Sequence, residues 1–382
     1  MVSFKKLFVA IVVLAQFSGF TPVHATMADP TPRTDKMPLV QLAILLDTSN
    51  SMDGLIEQAK SQLWKIANEL AYAKRGGKTP MLQVALYEYG NNGLTAQGNW
   101  IRQVTPFTTN LDQVSQELFS LRTNGGEEYC GAVIRDAVHS LAWDSRSNVY
   151  KVIFIAGNEP FTQGPISYQE SIAEAQAHDI TVNTIFCGNY AEGVQTAWDA
   201  GARVGHGRYF NINQDQRIVA VPTPYDADIQ KLGYSLNETY VPYGERGRQV
   251  MMETKAADRD ALSAPAAAAP MERSVYKASA QYFSSREDVA GAVAGGTLRA
   301  DQLKTESLPV ALQNKSPEEL EVYMKDQANH RAEIQKQIIA LKEKRDSFMK
   351  DQKKAKNAPQ TLDEAVQNAV REQGSAKGLK FK

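Results

Sequence analysis

Leu42-Ala43-Ile44-Leu45-Leu46-Asp47-Thr48-Ser49-Asn50-Ser51-Met52 joins an unbroken apolar run to a carboxylate and two hydroxyls at alternating positions. A run of this kind reads as a strand buried on both faces, the mark of a parallel sheet covered by helices. A helix pattern follows at once over 55–74, with Leu55, Ile56, Ala59, Leu63, Ile66, Ala67 and Leu70 on one stripe. Strand, polar loop and helix make up the unit of a doubly wound sheet, where ligand sites form beyond the carboxyl ends of the strands. The loop at Asp47, Ser49 and Ser51 stands in that position. Its oxygens suit a hard cation such as Mg2+, which takes few protein carboxylates and keeps some waters. The competing reading is a polar turn that only caps the helix at Leu55.

The same alternation continues along the chain. Runs at 39–46, 82–89, 151–156, 180–186 and 208–211 are rich in Val, Ile, Leu, Tyr and Phe, and 100–107 is more polar, as suits a sheet edge. Residues 111–121, 131–142 and 168–178 carry apolar residues at helical spacing. The expected fold over 38–240 is α/β, a doubly wound, mostly parallel sheet with helices on both faces.

The stretch 42–52 resembles the first motif of von Willebrand factor type A domains, whose metal-ion-dependent adhesion site begins Asp-x-Ser-x-Ser. The resemblance covers 38–240 and implies a non-enzymatic binding or adhesion module. Its divalent cation, Mg2+ or else Mn2+ or Ca2+, would accept a carboxylate from a protein partner. In the integrin-like pattern a Gly-Gly-x-Thr-x-Thr-Gly run supplies a threonine to the metal. Gly125-Gly126-Glu127-Glu128-Tyr129-Cys130-Gly131 matches by its glycines and puts Glu128 in that place, in keeping with bacterial relatives that read Gly-Gly-x-Asp. The remaining ligand, an aspartate ending the fourth strand, falls on Asn158 when aligned from the strand start, or on Gly157 when counted back from Glu159-Pro160. The strand fixes the register and favours Asn158. The implied metal set is Asp47, Ser49, Ser51, Glu128 and Asn158. The alternative is a metal-free scaffold in which Glu128 caps the helix starting near Tyr129, since carboxylates are favoured at helix N-termini.

Among 382 residues, 43% are hydrophobic, 22% are charged and the formal net charge is −1, so the chain can form a sizeable core and has no basic surplus for nucleic acid or an anionic membrane. Lys5 and Lys6, the apolar run from Leu7 to Phe20, and Val23-His24-Ala25 have the layout of a secretory signal peptide cleaved after Ala25. An uncleaved N-terminal anchor is the alternative. No later stretch is apolar enough to span a bilayer, so the expected location is periplasmic or secreted. Cys130 and Cys187 are the only cysteines. In an oxidising compartment, both on the carboxyl-end rim of the sheet, they are expected to form one disulfide, with two separately buried thiols as the rival.

The composition changes after Gly244. Residues 245–315 read as an Ala/Pro-rich linker around Ala261-Leu262-Ser263-Ala264-Pro265 and an uncertain segment. Ser316-Pro317-Glu318-Glu319 opens a C-terminal helical region over 316–375 with a capping box. Leu320, Met324, Ile334, Ile338, Leu341 and Phe348 then follow a four-three spacing, broken by Gln327, Arg331 and Arg345. A single long helix or an imperfect coiled coil fits, the latter offering self-association. Thr361-Leu362-Asp363-Glu364 opens a second, short helix. A catalytic set is not evident: Cys130 and His139 lack an orienting third group, His206 reads as a turn, and no phosphate loop, zinc-protease helix or nucleophile elbow occurs.

Overall fold

The protein is described here by a computed structural model covering residues 38–212, 222–263, 269–279, 282, 287–355 and 362–381. The expected signal peptide, residues 1–25, lies outside them. Six strands form one sheet in the order β3-β2-β1-β4-β5-β6. They are β1 (Leu39–Asp47), β2 (Met81–Tyr89), β3 (Ile101–Thr108), β4 (Tyr150–Gly157), β5 (Ile180–Cys187) and β6 (His206–Ile212). All neighbours are parallel except β2 and β3. Every residue of β1 and β4 is buried, as their predominantly apolar sequence requires. β3, the polar run, is the antiparallel edge.

The helices of this part are α1 (Ile56–Ala71), α2 (Leu111–Ser120), α3 (Cys130–Ser140), α4 (Tyr168–Ala177), α5 (Tyr190–Gln195) and α6 (Trp198–Val204). One face of the sheet packs on α1 and α2 through Leu42, Ile44, Leu63, Leu70, Val114 and their neighbours. The other packs on α3, α4 and α6 through Leu45, Ile134, Ile153, Ile172 and Trp198. The order reverses between β1 and β4, which opens a crevice at their carboxyl ends.

Beyond β6 the chain forms α7 (Asp226–Glu238), α8 (Gly244–Ser263), α9 (Ala269–Lys277), α10 (Val289–Ala294), α11 (Pro317–Ala355) and α12 (Leu362–Ala376). The linker expectation for 245–315 is corrected, because α8 and α9 pack on α2 and α1. Arg273 donates to Asp112 at 2.7 Å and to Asp258 at 2.6 Å, Lys277 meets Asp258 at 2.8 Å, and all four side chains are buried. Burial here rests on paired charge and small alanines, which an apolar count does not register.

The coiled-coil expectation is likewise corrected, while the single long helix stands. Leu320 and Met324 pack with Val241, Val289 and Leu312, and Ile334 and Ile338 with Ile229, Leu236 and Val275. The stripe is therefore covered by the chain's own helices. Arg331 is buried in ion pairing with Asp288 and donates to the Thr239 hydroxyl at 3.0 Å, so it belongs to this core. α12 returns to the sheet, placing Val366, Ala369 and Val370 in the α1 side of the core. Gln373 Nε2 donates to Asn183 Oδ1 at 2.8 Å, and Gln373 Oε1 accepts from Tyr150 at 2.8 Å. Among the described residues no helix is long and apolar enough to cross a membrane.

Candidate functional site

β1 delivers Asp47, fully buried, to the crevice, and the next turn is fixed by the backbone N–H of Ser49 donating to Asp47 Oδ1 at 2.7 Å. This local bond is the ordinary use of an aspartate to shape a turn. Thr48 locks the loop to β2 through its N–H to the Tyr89 carbonyl at 2.9 Å. The Ser49 and Ser51 hydroxyls lie 2.8 Å apart. Ser51 Oγ donates to Asn158 Oδ1 at 2.9 Å, and Asn158 Nδ2 returns a bond to the Ser51 carbonyl at 3.0 Å. Asn158 follows β4 directly. Gly157, the other register, is the final residue of β4 and offers no side chain.

Glu128 approaches from the loop before α3. Its buried carboxylate accepts from Gln163 Nε2 at 3.3 Å, while the same nitrogen donates to Glu127 at 3.3 Å. The N-cap of α3 is Tyr129, and it makes no side-chain capping bond. Gly90 lets the two acids come together: it has φ of +75°, and a Cβ there would stand 2.8 Å from both Asp47 Oδ1 and Glu128 Cγ. The structure thus brings Asp47, Ser49, Ser51, Glu128 and Asn158 into one cluster.

Electrostatics mark this cluster. Burial pushes the Asp47 carboxyl up to about 7, against the lowering effect of the Ser49 bonds and with a further push from Glu128. Burial, then the charge of Glu159, pushes Glu128 up to about 7. Asp47 Oδ2 is buried without a hydrogen-bond partner, an arrangement that is costly unless something else satisfies the oxygen. Among the described residues no three His, Cys, Asp or Glu side chains gather as a metal group. A cation here would therefore draw on two carboxylates together with hydroxyl and amide oxygens. That donor set fits a hard divalent ion: it supplies the missing countercharge and takes up the orphaned oxygen.

Cys130 and Cys187 are free thiols, so the disulfide expectation is corrected. Cys130 packs with the α3 side of the core and Cys187 with the α1 side, so the sheet lies between them. Burial raises both thiols well above their usual range, and Cys130 Sγ lies 3.7 Å from the Tyr89 hydroxyl. His139 pairs instead with Glu174 at 2.9 Å, so no thiol–imidazole couple forms. Gln163 and Gly90 escaped the sequence reading. Neither belongs to a short motif, and only the fold places them beside Glu128.

Residues 41–198 match the family model of the von Willebrand factor type A domain. The six-stranded sheet with helices on both faces has the type A domain fold. No curated protein matches the chain. Among solved structures, BatB of Bacteroides thetaiotaomicron is 18% identical with a TM-score of 0.34, covering 46% of this chain and 90% of its own. The pilus adhesin SpaC of Lactobacillus rhamnosus GG, in an open conformation, is 15% identical with a TM-score of 0.35, covering 47% of this chain and 28% of its own. Proximal thread matrix protein 1 of the mussel byssus, with a zinc-occupied MIDAS motif, is 11% identical with a TM-score of 0.34, covering 47% of this chain and 43% of its own.

Proposed function

We propose that the chain is an exported, non-enzymatic binding protein that grips a protein partner at the Asp47 crevice through a divalent cation, Mg2+ in the first instance. Asp47, Ser49, Ser51, Glu128 and Asn158 would hold the ion. The ion would supply a Lewis-acidic position for an oxygen of the partner, such as a carboxylate. The protein's own part is to hold five oxygen-bearing side chains on rigid elements. Asp47 is fixed by the Ser49 N–H, Asn158 by Ser51 and Glu128 by Gln163. The observation that carries this reading is the buried, unpartnered Asp47 Oδ2 beside a second carboxylate. Export rests on the signal-peptide layout of residues 1–25, with a periplasmic or secreted location.

The test is calorimetric titration of the full chain with Mg2+ or Mn2+, alongside Asp47→Ala. The variant should take up no ion, because no other residue of 47–51 carries charge. Equal affinity in the two proteins would remove the basis for the site. Affinity capture from the native envelope, with and without a chelator, then asks whether the partner depends on the ion.

A second reading is a metal-free scaffold whose helices beyond β6 mediate assembly. It draws support from the bonds that Ser49, Ser51 and Asn158 already make with one another, and from the exposed Val310 and Val322 in the helical part. Partner capture with no Mg2+-dependent melting shift would favour it.

A further inference from the structure

The outer rim of the crevice is acidic beyond what a cation needs. Glu127 and Glu128 share one amide nitrogen, that of Gln163. Glu159 directly follows Asn158, whose side chain is bonded to Ser51, so it stands on the same rim. With Asp47, four acidic residues border the crevice, and one divalent ion offsets two of them. Among the described residues none of Glu127, Glu128 and Glu159 is ion-paired with a basic side chain. Arg122, on the adjoining loop, turns its guanidinium to the Phe119 and Leu121 carbonyls, both at 2.9 Å. Asp47 Oδ2, buried and without a partner in the same cluster, independently marks the place as one that receives positive charge. Trp100 and Tyr129 stand edge to face at 5.4 Å beside the Glu128 loop. Aromatic faces next to carboxylates attract Lys and Arg side chains.

We propose that the partner segment filling this crevice is basic, with Lys or Arg side chains on both sides of the oxygen that reaches the cation. This rests on the reading that the crevice is where the chain grips its partner. A carboxylate with neutral or acidic neighbours would approach the surplus charge of Glu127 and Glu159 unaided. Flanking cations reverse that repulsion, and complementary charge of this kind sets which partner is accepted.

The experiment uses the full chain in Mg2+ and three labelled synthetic peptides of equal length. Each has a central Asp, flanked on both sides by Lys, by Ser or by Glu. The Lys-flanked peptide should bind about tenfold more tightly than the Ser-flanked one, the size expected for two charge pairs near a protein surface. The Glu-flanked peptide should be the weakest. The preference should collapse in the Glu127→Gln/Glu159→Gln double variant, and also in about 0.5 M salt, where exposed charges are screened. Three results would overturn the proposal: a Ser- or Glu-flanked peptide binding as well, a Lys preference that survives the double variant, or no binding of the Lys-flanked peptide at about 1 mM. Mg2+ titration without peptide separates this failure from that of the cation site. An ion taken up with no Lys preference sinks the basic partner alone. A Lys preference lost in the double variant, in a chain that takes up no ion, sinks the cation and leaves the basic partner standing.

Discussion

Arg273 of α9 donates to Asp112 of α2 at 2.7 Å while its Nε donates to Asp258 at 2.6 Å, and all three side chains are buried. One guanidinium thus joins the helical part of the chain to the α1 and α2 face of the sheet. Removing one member of such a group leaves buried charge uncompensated. Arg273→Ala is expected to lower stability by about 3–5 kcal/mol, seen as a lower midpoint in urea unfolding. A midpoint unchanged from wild type would show that α8 and α9 are not docked in this way.

Gly90→Ala adds a methyl group where φ is +75° and where Asp47 and Glu128 both stand at 2.8 Å. The strain should cost about 1–3 kcal/mol. Because the displaced groups are the two acids, Mg2+ affinity should also fall by about tenfold or more. Wild-type affinity in a protein destabilised by this amount would separate the glycine from the site.

Glu128→Thr tests the ligand against the cap. The α3 N-cap is Tyr129 with no side-chain capping bond, so loss of Glu128 should not unravel that helix. Ion affinity should fall because one charged donor has gone, while the stability of chelator-treated protein holds or rises. Both quantities are to be measured on the one variant. Stability and affinity both unchanged would restore the capping account, since threonine caps nearly as well.

Protonation gives a signed expectation. Asp47 and Glu128 are each pushed up to about 7, whereas carboxyls in an unfolded chain lose their protons near pH ~4. Between these values the ion-free native state holds protons that the unfolded state has released, so stability contributed by these groups falls as pH rises. A divalent ion replaces those protons, so its binding strengthens as pH rises through about 7 and releases protons. Melting with and without Mg2+ at about pH 5 and about pH 8 is the check. A Mg2+ increment of the same size at both would argue against these two carboxylates as ligands.

The cysteines offer a chemical test. Cys130 and Cys187 are each 1% exposed and unbridged. A thiol reagent should therefore find neither in the native chain and both after unfolding without reductant. Fewer than two thiols in denaturant would bring back the bridge.

The sheet was legible because β1 and β4 are buried on both faces and are apolar but for Gln41, Asp47 and Lys151, and β3 because an edge tolerates Arg102 and Gln103. The crevice was legible because its side chains lie at or just after strand ends, and their order along the chain gives the switch point. Three features were hidden for physical reasons. The docking of α9 depends on pairing Arg273 with Asp112, far apart in sequence. The hold of α12 on the sheet runs through Gln373, a polar residue that carries no core signal. The thiols share a rim, but which face of the sheet each one takes separates them.

The attachment of α12 bears on the order in which the chain can finish folding. Val366, Ala369 and Val370 fill the α1 side of the sheet's core, Gln373 clasps Asn183 of β5, and Lys74 pairs with Lys380 through the backbone. On a ribosome the sheet is made first and α12 only after α7 to α11, so this patch stands open to water throughout their synthesis. Apolar surface left open on an unfinished chain invites association with other chains. Until α12 arrives, the α1 side of the sheet lacks the residues that complete its core.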